Sequence, residues 1–163
     1  MTELGTDPLT LVHLAISLGA ILAGLMVLAA MLKGRTPVTL TGIFLGLTVL
    51  TSATGFLFHN ANVTPAMVVG AVSLILLAVA LFAIYGRHLA GRWRTAYVVT
   101  ALLALYLNVF VLVIQSFIKI PSLHTLAPTI PPAGPLFGAV QGVVLIVFIV
   151  AGWQAVKAGR VNS

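Results

Sequence analysis

The chain has 163 residues, of which 61% are hydrophobic and 6% charged, with a mean hydropathy of +1.20. Soluble domains carry about a quarter charged residues, so a water-soluble globular domain is excluded. The net charge of +6 comes from eight Lys and Arg against two acidic residues. Cysteine is absent, which removes disulfides, thiolate metal sites, iron–sulfur clusters and covalent haem attachment.

The apolar residues fall in blocks of about 20, the length that crosses a hydrocarbon core roughly 30 Å thick. The N-terminal residues Met1 to Pro8 carry Glu3 and Asp7 and no Lys or Arg. They lack the positive n-region of a cleavable signal peptide, so the first span is expected to be retained. That span is expected over 9–32, ending at Lys33-Gly34-Arg35, and the second over 37–58, ending at His59-Asn60-Ala61-Asn62. The third, over 65–85, precedes a basic loop with Arg87, His88, Arg92, Trp93 and Arg94. The fourth is expected over 96–118, before Lys119. A connector with Pro121, Pro128, Pro131, Pro132 and Pro135 follows, too rich in proline to be read as helical. The fifth span is expected over 136–156, with Trp153 placed for an interfacial belt. The expectation is an all-α, polytopic membrane protein, one domain over 1–163 built as a bundle of five transmembrane helices.

Seven basic residues (Lys33, Arg35, Arg87, Arg92, Arg94, Lys157, Arg160) fall on one side of this arrangement, against Lys119 on the other. Positive-inside reasoning places the N-terminus outside and the C-terminus inside. The basic residues therefore read as helix-orienting and lipid-facing rather than nucleic-acid-binding, with Arg87, Arg92, Trp93 and Arg94 as candidates for anionic headgroups. Pairs of small residues four apart, Ala20 and Gly24, Gly42 and Gly46, and the series Gly134, Gly138 and Gly142, read as surfaces of close helix packing.

Polar residues inside spans are costly unless paired, and they concentrate toward the expected outer side. His13, Ser17, Ala20 and Gly24 share one face of the first span; Ser52, Gly55 and His59 share one face of the second. Asn108, Gln115 and Lys119 form a stripe on the fourth, and Gln141 lies in the outer part of the fifth. These stripes are expected to line an outward-facing polar pocket of His13, Ser17, Ser52, His59, Asn108, Gln115 and Gln141, with the connector and its His124 as a lid. Two readings of the histidines stand side by side. His13, His59 and His124 could ligate a b-type haem or a metal, since neutral imidazole is a common ligand. A histidine at the end of a span is also an ordinary interfacial residue. No HxxH or HExxH spacing is present, and no carboxylate lies within a span to serve as a nucleophile's partner or a proton relay.

The stretch YVVTALLALYLNVFVLVIQSFIKIPSLHTLAP over 97–128, together with TSATGF over 51–56 and the LAGRWR of the basic loop, resembles a family of small uncharacterised bacterial inner-membrane proteins. The likeness covers most of the chain and implies a bacterial inner-membrane location without an activity. Relatives often have Pro at the position of His59 and a Glu ahead of the connector prolines, where this chain reads Thr129-Ile130-Pro131-Pro132. The resemblance thus implies a common core of Asn108, Gln115, Lys119 and His124 and speaks against a ligand at His59. The expected function is non-enzymatic: a membrane subunit or accessory protein, with a membrane-protein partner or a second copy against its Gly/Ala faces, or a small-ligand binder. The rival class is a haem-, metal- or quinone-binding redox protein using His13 and His59.

Overall fold

The computed structural model describes residues 7–58 and 65–161. It is all-helical, with no strand among the described residues: α1 (Pro8–Met31), α2 (Val38–Gly55), α3 (Pro65–Leu81) continued by a π-helical turn (Phe82–Gly86), α4 (Arg92–Lys119), the single turn α5 (Pro121–His124) and α6 (Pro135–Val161). Five of these segments are long and apolar enough to cross a membrane, the architecture of an integral membrane protein. α1 packs on α2, α3 on α2 and α4, and α4 occupies the centre, also touching α1 and α6.

Several element boundaries differ from the sequence reading, the largest at α6, which runs on to Val161 rather than ending at 156. α4 begins at Arg92 rather than near Ala96, because long basic side chains can carry their charge to the interface while the backbone stays helical. α2 stops at Gly55, three residues early, where Phe56 and Leu57 close the helix with i to i−3 bonds to Ala53 and Thr54. The proline-rich connector contains a helical turn after all. Pro121 sits at its first position, where a missing N–H costs nothing.

Packing is uneven along the bundle. The core consists of Ala23, Val27 and Met31 of α1, Phe44 and Leu45 of α2, Leu77 and Ala80 of α3, Ala83 and Ile84 of the π turn, Tyr97, Val98, Ala101, Leu102, Ala104 and Leu105 of α4, and Ala155 of α6. All of these lie toward the end of the bundle where Arg94 sits. In the opposite half, α1 has no buried residue between Pro8 and Gly19. Gly24 explains the tightness of the first half. A Cβ there would lie 2.5 Å from Leu105 Cδ1 and 2.8 Å from Phe44 Cε2, so α1, α2 and α4 approach where a side chain is missing. Gly42 is tight as well, since a Cβ there would stand 3.1 Å from the Tyr85 hydroxyl, but others of the expected close-packing glycines are not. Gly46, Gly138 and Gly142 have open space where a Cβ would stand. α6 is the least enclosed span, touching only α4 and α1.

Candidate functional site

The loosely packed half of the bundle carries the polar residues that the sequence singles out. His13, in the second turn of α1, meets the end of α2. Its Nδ1 lies 2.7 Å from Thr54 Oγ1. The Thr54 hydroxyl sits 2.7 Å from the Leu50 carbonyl, the acceptor that helical threonines use. Between His13 and Thr54 the imidazole donates from Nδ1–H or accepts the hydroxyl proton according to its tautomer. The ring is held further by Phe58, whose centroid is 5.2 Å away in an edge-to-face arrangement. Lys119 is exposed at the end of α4.

The remaining candidates are distributed as follows. Ser17 bonds back to the His13 carbonyl at 2.7 Å, on the face the spacing predicts. Ser52 is buried, on the side of α2 where its carbonyl approaches Gly70 of α3. Gln141 is buried and donates from Nε2 to the Phe110 carbonyl at 3.1 Å, tying α6 to α4, while its Oε1 has no partner. Asn108 is half-buried, and its Nδ2 is enclosed without an acceptor. Gln115, expected to line the pocket, is exposed, as is Lys119 one turn on. The packing around α4 thins toward this end, so a stripe that is half-buried at Asn108 has emerged two turns later. His124, on α5, is half-buried with an enclosed Nδ1 that has no partner. His59 lies outside the described residues.

Sequence reasoning missed Thr54. A threonine in a span reads as a hydroxyl satisfied within its own helix, and it is, at the Leu50 carbonyl. No group of three or more His, Cys, Asp or Glu side chains converges among the described residues. One oriented imidazole matches a single axial position of a haem or one ligand of a metal. Hydrogen bonding of the distal ring nitrogen is the usual way such a ligand is held.

At the opposite end, Arg87 lies over the Trp93 ring at 5.7 Å, and Phe82 meets that ring edge-on with centroids 5.1 Å apart. Arg92 is exposed. Arg94 turns inward and donates from Nη2 to the Gly34 carbonyl at 2.7 Å, joining α4 to the connection between α1 and α2.

Compared with known proteins, no family model, curated protein or solved structure matches the chain.

Proposed function

We propose that the protein is a non-enzymatic integral membrane protein, a small subunit or ligand binder of a bacterial inner membrane, with its N-terminus outside and a polar cleft open to that side. The observation that carries this reading is His13, hydrogen-bonded to Thr54 at the end of α1 where that helix has no buried residue. Fixing an imidazole at a span end requires a partner that a merely interfacial histidine has no use for. The remaining ring nitrogen, Nε2, suits a hydrogen bond to a small polar ligand.

The redox reading rests on the same hydrogen bond, because an Nδ1–H held by a neighbour is how a ligating histidine is aimed. One experiment separates the two. Wild-type protein and His13→Ala are purified in mild detergent, extracted for small-molecule mass spectrometry, and recorded in the visible, oxidised and dithionite-reduced, with metal analysis. The binder reading predicts a colourless, metal-free protein whose extract contains a polar small molecule that is missing from His13→Ala. Identical extracts contradict it. A reduced α-band lost in His13→Ala replaces it with the redox reading.

A further inference from the structure

A crevice of about 150 Å³ opens between the start of α4 and the end of α6, at the opposite end of the bundle from His13. Its apolar wall includes Leu89, Val98, Ala155 and Val156, and its polar groups are Arg94 and Thr95. Arg94 is half-buried. One guanidinium nitrogen is committed to the Gly34 carbonyl, and Nε is enclosed with no acceptor, pressed against Gly159, where a Cβ would come within 2.6 Å. An enclosed cation is stable only if an anion is near. Among the described residues no carboxylate lies at this end: Asp7 precedes α1, whose 24 residues separate it from Gly34 by roughly 36 Å. Arg87, Arg92, Lys33, Arg35 and Lys157 add positive charge to the same end without relieving it. No described residue supplies a counter-ion, and an anion bound in the crevice would. α4 begins here with Gly91 as its cap, so its first N–H groups have no side-chain acceptor either.

We propose that this crevice holds the phosphate of an anionic phospholipid, with Arg94 and Thr95 as polar contacts and Val98, Ala155 and Val156 against the start of its acyl chains. A lipid fits better than free phosphate because half of the lining is apolar and lies on two membrane-spanning helices. The site differs from a general basic surface in depending on Arg94 rather than on net charge.

The test titrates the full-length, delipidated protein with phosphatidylglycerol or phosphatidylcholine in detergent and reads bound lipid by native mass spectrometry. Phosphatidylglycerol is expected to bind at one copy in clear preference to phosphatidylcholine. Arg94→Gln should weaken it about tenfold, as loss of a charged hydrogen bond does, and Thr95→Val about threefold. Arg35→Gln removes the same charge from an exposed position and should leave binding within about twofold. Arg94→Gln also breaks the bond to Gly34, so the isosteric Thr95→Val decides the matter if that variant unfolds. Equal weakening by Arg35→Gln and Arg94→Gln, or Thr95→Val at the wild-type value, overturns the site in favour of a diffuse basic field. Displacement of the lipid by millimolar inorganic phosphate overturns the lipid as occupant.

Discussion

Thr41 and Tyr97 are both fully enclosed, with their hydroxyls 3.1 Å apart between α2 and α4. Asn108, four residues on from Ala104, has an enclosed amide nitrogen that bonds to nothing among the described residues. The two sites predict opposite mutational outcomes. Thr41→Val leaves the Tyr97 hydroxyl buried without a partner and should cost about 1 to 3 kcal/mol. Asn108→Leu removes an unsatisfied donor and should leave stability unchanged or raise it by up to about 1 kcal/mol. Thermal unfolding in one detergent reads both, and a loss above about 1 kcal/mol in Asn108→Leu would show that its amide is paired in the folded protein. The sequence alone suggests the reverse, since a mid-span asparagine on a stripe with Ala104 reads as an interhelical hydrogen bond. A stripe identifies the face a residue is on but not whether an acceptor is waiting across the contact.

Among the elements, the glycines divide by what stands opposite them. Gly24 faces Leu105 and Phe44 at distances that no Cβ tolerates, whereas Gly46 faces open space. Gly24→Ala should therefore destabilise by about 1 to 3 kcal/mol through overpacking, and Gly46→Ala should be neutral or slightly stabilising through better helix propensity. Equal melting shifts for the two would contradict the close approach of α1, α2 and α4. Both glycines satisfy the same four-residue spacing, so spacing alone does not tell a contact face from a lipid face. The spans themselves are plain in the sequence because 20 apolar residues in lipid have few alternatives to a helix. Their ends are less so: basic residues at the start of α4 and Pro121 at the first position of α5 are compatible with helix and with loop alike.

For the whole molecule, the structure and the sequence converge on a bundle with two unlike ends. One is tightly packed and basic, crossed by Arg94; the other is loosely packed and polar, built around His13. The number of spans and the clustering of polar residues at one end are readable from composition and periodicity. The His13 to Thr54 bond and the Arg94 crevice are not, since each joins residues 41 or more positions apart in the sequence. The proposed function depends on the polar end facing out of the cell. The chain has no cysteine, so single-cysteine variants need no prior substitution. Thr129→Cys, exposed in the connector at the His13 end, and Ala90→Cys, exposed in the basic loop, can be treated in intact cells with a membrane-impermeant maleimide. The account predicts labelling of Thr129→Cys in intact cells and of Ala90→Cys only after the inner membrane is permeabilised. The opposite pattern would place the cleft on the cytoplasmic side and contradict the outward-facing site.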